Sequence, residues 1–258
     1  MPMFGTPDCA LVRRSAETHV ANVNMRLYVD NVNTLVRDFC MNTSPTPPAA
    51  PSAPYHHGDL RRALLDAANA ILAETGRWDF SLREVARRAG VSHNAPYRHF
   101  ADKEALLAAI GVAGFEALNR ATSAAAKDAA DPVETIRALG QAYIRFGVSG
   151  PALYRLMFGQ GLPGVEGLSP ALREAVDVAR ARLRDVVLWG ARAGVFRVDP
   201  DNADEVTAAV VAAWSLVHGF TSLTIDRVVE REVGQGSTDK LATQAIDRFI
   251  AGLMRPAD

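Results

Sequence analysis

The chain has 258 residues, a formal net charge of −1 and 48% hydrophobic side chains. That length holds one large or two ordinary domains, and the apolar share suffices for a substantial core, which excludes a wholly disordered chain. With only Cys9 and Cys40, neither a disulfide scaffold nor a cysteine-built zinc site is indicated.

Residues 1–40 carry both cysteines and a small internal echo, Asn-Val-Asn at 22–24 and again at 31–33, but no functional motif. Two readings of this part stand side by side: an ordinary tail, or translation starting at Met41 with regulatory DNA upstream. Thr43 to Pro54, TSPTPPAAPSAP, cannot build a core and predicts a disordered or polyproline-like linker. Residues 1–54 are therefore expected to form a disordered extension and linker. No basic segment precedes an apolar one as in a secretory signal, and the expected compartment is the reducing cytoplasm.

From Leu60 the pattern becomes helical, with Leu60, Leu64, Ala68, Ile71 and Leu72 at i, i+4, i+8, i+11 and i+12. Ser81 with Glu84 reads as a capping box, flanked by a Phe80 and Val85 staple, and starts a second helix. Leu82, Val85, Ala86 and Ala89 continue it until Gly90, placed where a positive φ is needed. Ser92 or Asn94 is expected to cap a third, short helix with Pro96 in its first turn, where the missing N–H costs little. Asp102 then caps a long helix starting near Lys103.

The third segment exposes chemistry suited to nucleic acid. His93, Asn94, Tyr97, Arg98 and His99 all offer hydrogen-bond donors, and Asn and Arg read base edges in the major groove. Lys103 lies at a helix start, where a phosphate meets both the ammonium and free amides. Residues 81–103 hold five basic side chains (83, 87, 88, 98, 103) against two acids (84, 102), a local balance of about +3 in a chain near neutrality.

Residues 58–108 resemble the N-terminal domain of the TetR family of transcriptional regulators, through SLREVARRAGVS, the Y-R-H-F of Tyr97 to Phe100 and the D-K-E-A-L-L of Asp102 to Leu107. The resemblance implies an all-α protein with a three-helix, helix-turn-helix DNA-binding domain over 55–101 and a ligand-binding and dimerisation bundle over 102–258. It implies DNA contacts at Arg83, Ser92, His93, Asn94, Tyr97, His99 and Lys103; Ser81 and Arg98 complete the candidate set. Pro96 stands where the family usually has leucine, which predicts a late or displaced start of the recognition helix.

Beyond Lys103 every segment reads as helix: Lys103 to about Lys127, Pro132 to about Val148, Pro151 to Phe158, Pro170 to about Ala193, Asn202 to Val229, and Thr238 to Met254. Gly159 to Gly167 is a glycine-rich connector without the strand and GK[ST] of a phosphate cradle. Val206 to Ile225 is twenty residues long without Asp, Glu, Lys or Arg, enough for a membrane span by length. Its polar and weak positions favour a centrally buried helix of a soluble bundle instead.

Ile246, Phe249, Ile250 and Leu253 form an apolar stripe at the chain end, which completes either the monomer core or a dimer interface. The resemblance favours a homodimer through the last two helices, and hence a palindromic double-stranded operator with half-sites about 34–36 Å apart. Trp214, His218 and Gly219 resemble the W…HG signature of one TetR C-terminal subclass. With Tyr143, Phe146, Tyr154, Met157, Phe158 and Trp189 they are candidates to line an effector pocket for a small apolar or amphipathic molecule, although such residues at helical spacing also serve as plain core. The implied function is a repressor released by its effector, through movement of the helix after Lys103. The alternative is an activator, or a helix-turn-helix protein working through protein contacts. His218, Asp226 and Ser215 are the only triad-like types in that region and lack an oxyanion site, so no catalysis, metal or cofactor is expected.

Overall fold

Helix starts in this chain are set by local chemistry. In a computed structural model that describes residues 57–159, 161–162, 167–233 and 238–254, polar caps and first-turn prolines recur at the boundaries. Cys9, Cys40, Met41 and the linker over 43–54 lie outside the described residues, as does most of the connector within 160–166.

The first helix, α1, spans His57–Thr75 and stops at Gly76, whose φ is +67°. The second, α2, spans Leu82–Arg88, with the Ser81 hydroxyl accepting from the Glu84 N–H at 3.2 Å. Gly90, at φ +69°, closes α2 with two bonds: its N–H donates to Arg87, and the Val91 N–H reaches back to the Ala86 carbonyl. That paired pattern is a Schellman cap, and the left-handed φ is why glycine stands there. Next comes a single 3-10 turn over Pro96–Arg98.

Asp102 caps α3, Lys103–Ala125, accepting from the Ala105 N–H at 2.7 Å. Asp131 caps α4, Pro132–Ser149, and Ser169 caps α6, Pro170–Arg192; between them lies the short α5, Pro151–Phe158. In all three a proline occupies the first turn, where a backbone N–H has no intrahelical partner to lose. Asn202 caps α7, Ala203–Ile225, followed by α8, Val228–Val233, and α9, Thr238–Leu253.

The expected helix over Asn202–Val229 is thus two helices. Thr221 and Thr224 turn their hydroxyls back onto the Val217 and Phe220 carbonyls, and Arg227 takes a left-handed φ of 59° that ends the run. Asp226, at the break, pairs with Arg155 of α5.

Three apolar clusters hold the helices together. The first joins α1 and α2 (Leu64, Ala68, Ile71, Leu72, Val85) to Phe100, to Leu106 and Ile110 of α3, and to Leu156 of α5. Burial of each large aliphatic side chain contributes roughly 1.5–3 kcal/mol, and this cluster runs without a break past residue 101. The second cluster packs α4, α6, α7 and α9 around Phe196, and the third packs α3 to α6 around Phe115, Tyr154 and Met157.

The C-terminal stripe has a clear destination. Ile246 and Ile250 are buried in the second cluster, with Phe249 and Leu253 packed partly against it. Half of the stripe, Ile246 and Ile250, thus belongs to the core of the single chain, and Phe249 and Leu253 stay half-buried at its edge.

The expectation of central burial for α7 is corrected as well. By length and composition α7 could cross a membrane, yet it packs in the bundle on α4, α6 and α9, with only 17% of its most apolar window buried. Ala208, Ala212, Ser215 and Leu223 remain exposed along its outer side.

Candidate functional site

The DNA-facing candidates occupy the segment between the two caps. Ser81, Arg83, Ser92, His93, Asn94, Tyr97 and Arg98 are exposed, and Lys103 is half-buried at the start of α3. Tyr97 is 52% exposed, unusual for an aromatic side chain in a small helical unit. The Ser81 hydroxyl is already engaged as the α2 cap.

Neither Ser92 nor Asn94 caps a helix here. The one helical turn of this segment begins after Ala95, without a side-chain cap, and is 3-10 rather than α. Pro96 brings this about: it has no N–H to give the Ser92 carbonyl, which is taken instead by the Ala95 N–H at 2.9 Å. The ring of Pro96 is itself fully buried, anchoring the turn on the N-terminal core. His93 and Asn94 accordingly stand on a turn ahead of the helical residues.

His99 is half-buried. Its Nε2 is turned toward the protein, buried and without a hydrogen-bond partner. Arg88, counted in the basic balance, is held by both oxygens of Glu74, and that bond also holds the Glu74 carboxyl below its usual range. Arg61 lies 5.3 Å over the Phe100 ring. The exposed donors that remain are Arg83, Arg87, Ser92, His93, Asn94, Tyr97 and Arg98.

A second site lies in the C-terminal bundle. A cavity of about 710 Å³ opens between α3, α4, α6 and α7, within the range of small-molecule sites. Tyr143, Met157, Phe158 and Trp214 are part of its wall. Tyr154 and His218 sit directly behind: the Tyr154 hydroxyl lies 2.7 Å from His218 Nδ1, the Tyr143 hydroxyl 3.1 Å from the same nitrogen, and Trp214 Nε1 donates to Tyr143 at 3.3 Å. Phe158 stacks beside this group, 4.8 Å from the Tyr154 ring and 5.1 Å from the His218 ring.

Burial pushes both tyrosine hydroxyls up and the His218 imidazole down, so the network is neutral at pH 7. Phe146 is buried in the third cluster without reaching the cavity wall, and Trp189 is 43% exposed on α6, away from it. Periodicity placed both on plausible helices but could not say which way the helices turn. His218, Ser215 and Asp226 do not form a triad: His218 is bonded to tyrosines and Asp226 to Arg155.

Sequence reasoning missed Leu162 and the three arginines of α6, Arg180, Arg182 and Arg184, all in the cavity wall. Leu162 also rests on Gly111 of α3, where a Cβ would lie 2.8 Å from it. In sequence the connector is featureless, and α6 reads as an ordinary charged surface helix.

Among the described residues the chain is all-helical, and its capped α2, Schellman turn and exposed Tyr97 have the form of a helix-turn-helix DNA reader of the kind transcriptional regulators carry. The comparisons agree: residues 64–110 match the family described as bacterial regulatory proteins, tetR family, and residues 136–249 match the tetracyclin repressor-like C-terminal domain. The chain is 30% identical over 154 residues to the HTH-type transcriptional regulator BetI of Rhizobium meliloti, covering 58% of this chain and 73% of that one. Among solved structures, a protein of unknown function from Rhodococcus sp. RHA1 is 32% identical with a TM-score of 0.66, over 79% of this chain and 100% of the other. The TetR family regulator PfmR of Thermus thermophilus is 26% identical with a TM-score of 0.54, over 74% and 99%. The chain belongs to the TetR family of transcriptional regulators.

Proposed function

We propose that this regulator is a cytoplasmic, ligand-responsive repressor: a homodimer that binds a palindromic operator and lets go when a small apolar or amphipathic effector fills the C-terminal cavity. DNA binding is assigned to residues 55–101 and effector binding and dimerisation to 102–258. Arg83, Tyr97 and Arg98 carry the reading face, with Ser92, His93 and Asn94 on its leading turn and Lys103 at a backbone phosphate.

One observation carries the ligand response. The short α5 faces two ways, with Leu156 fully buried in the N-terminal core while the adjoining Met157 and Phe158 belong to the cavity wall. Leu162 likewise belongs to the wall and rests on α3. An effector that displaces Phe158 or Leu162 acts on the elements that hold the reader, and a coupling of about 1–3 kcal/mol lowers DNA affinity roughly 5- to 150-fold. Dimerisation is supported by the exposed Ala208, Ala212 and Leu223 along α7, an apolar strip outside the cavity wall.

The test is a gel shift against DNA upstream of its own gene across a salt series, with and without hydrophobic compounds selected by thermal shift. Binding that weakens steeply with salt, and further with a stabilising compound, is the expected result. Salt-independent or absent binding overturns the reading.

A further inference from the structure

The cavity is apolar over most of its wall, but its charges are of one sign. Arg180, Arg182 and Arg184 line it from α6, and among the described residues no Asp, Glu or Lys does. None of the three makes an ion pair or side-chain hydrogen bond among the described residues, whereas Arg88, Arg137 and Arg155 each find a carboxylate. Asp177 and Asp185, on the same helix, pair with none of them.

Arg182 is the informative member. Its side chain is half-buried, and its Nε is buried with no partner. A guanidinium N–H withdrawn from water and left unbonded forfeits its hydration, and native structures rarely keep such a donor without a use. The planar fork of Arg matches a carboxylate in two parallel bonds, and in a surround this apolar the attraction is weakly screened. By helical periodicity Arg180 and Arg184 share the opposite flank of α6, both exposed, where they raise the positive potential at the mouth without touching the same oxygen atoms.

We propose that the effector is a hydrophobic carboxylate, its chain or ring body in the apolar cavity and its carboxylate on Arg182; this rests on the ligand-responsive reading above. A neutral compound of equal size leaves Arg182 unpaired, and a cation meets three arginines.

Decanoate, decan-1-ol and decylamine, titrated calorimetrically into the full chain, share one chain length and differ in the head group. Decanoate is expected to bind at least about tenfold tighter than the alcohol, as for a hydrogen bond to a charged group, with no measurable binding of the amine. In Arg182→Met decanoate is expected to fall to the level of the alcohol, whose own affinity is unchanged and so reports an intact cavity; Arg182→Lys keeps part of the preference. Arg180→Gln with Arg184→Gln is expected to cost decanoate a smaller factor, about two- to fivefold, that shrinks with added salt. If the wild-type chain binds the alcohol as tightly as the acid, or Arg182→Met leaves the preference intact, the proposal fails while a ligand-responsive cavity stands. If none of the three binds and none changes operator affinity in the gel shift, both fail together.

Discussion

Tyr154 and His218 are joined by a hydrogen bond of 2.7 Å between the phenol oxygen and Nδ1, which ties α5 to α7 behind the cavity wall. Because burial keeps the phenol protonated and the imidazole neutral, the tyrosine donates and Nδ1 accepts, placing the ring proton on Nε2. Tyr143 adds a second contact to the same nitrogen at 3.1 Å.

Protonating His218 breaks that arrangement. Its folded pKa lies below the ordinary histidine value, so the unfolded chain binds more protons as pH falls through about 6.5, and stability present above that pH is lost below it. Thermal unfolding between pH 8 and 5 is expected to show a falling Tm that His218→Gln flattens; equal slopes in the two proteins would refute the assignment. Asp66 has the opposite sign. Burial raises it from 3.8 to about 6 against the pull of Arg62, with Oδ1 buried and unpartnered, so its stabilising contribution is lost as pH rises through 6. At pH 7.5 Asp66→Asn is expected to gain on the order of 1 kcal/mol after allowance for solvent screening, an advantage that vanishes below pH 4.

Tyr97 and His99 differ by two positions and should separate cleanly. Tyr97→Ala removes an exposed ring, and its Tm is expected to stay within about 1 °C while operator affinity drops by about 1–3 kcal/mol. His99→Ala empties a site that faces the protein and is expected to lower Tm more than DNA affinity. Fluorescence anisotropy on labelled operator beside calorimetry distinguishes them, and the reverse pattern contradicts the orientation of the turn.

If the exposed side of α7 is the dimer seam, charge placed there should split the pair. Ala212→Glu with Leu223→Glu is expected to halve the mass measured by light scattering and to abolish tight operator binding while leaving far-UV helicity unchanged. Asp247→Ala, on the outer side of α9, removes an ion pair with Arg137 and should leave the mass alone. A dimer that survives the double variant moves the interface elsewhere.

Gly147 of α4 is a place where any side chain intrudes. A Cβ there would lie 2.3 Å from the Thr221 methyl and 2.8 Å from the Tyr154 ring. Thr221 is fully buried and cannot step aside, so Gly147→Ala is expected to cost about 1–3 kcal/mol of stability by chemical denaturation. Unchanged stability would mean that α4 and α7 lie further apart than described.

The caps at Ser81, Gly90 and Asp102 were legible in the sequence because they are local, each acting within four residues of itself. The core of α1 was legible for a related reason, since a stripe at helical spacing must face something. What could not be read was which way a helix turns among equals. Trp189 and Phe146 have the composition of pocket residues, yet one faces solvent and the other lies in the core, a matter of how α6 and α4 roll against their neighbours. The stripe on α9 was visible but its partner was not, because burial by one's own chain and by a second copy leave the same pattern. Pro96 announced a disturbed recognition helix, though only the tertiary seat of its ring decided that a single 3-10 turn survives. Arg182 escaped notice because a charged residue on an amphipathic helix reads as surface until the cavity beside it is seen.

The three tryptophans divide the molecule in a useful way. Trp214 stands in the cavity wall bonded to Tyr143, Trp78 lies against Gly161 and the N-terminal core, and Trp189 faces water. Indole emission shifts with the wetness of its surroundings, so the chain carries an unlabelled optical gauge at the mouth of its cavity and another where the sensor meets the reader. With Trp189→Phe removing the constant background, one spectrum would time the arrival of a ligand at Trp214 against the response at Trp78.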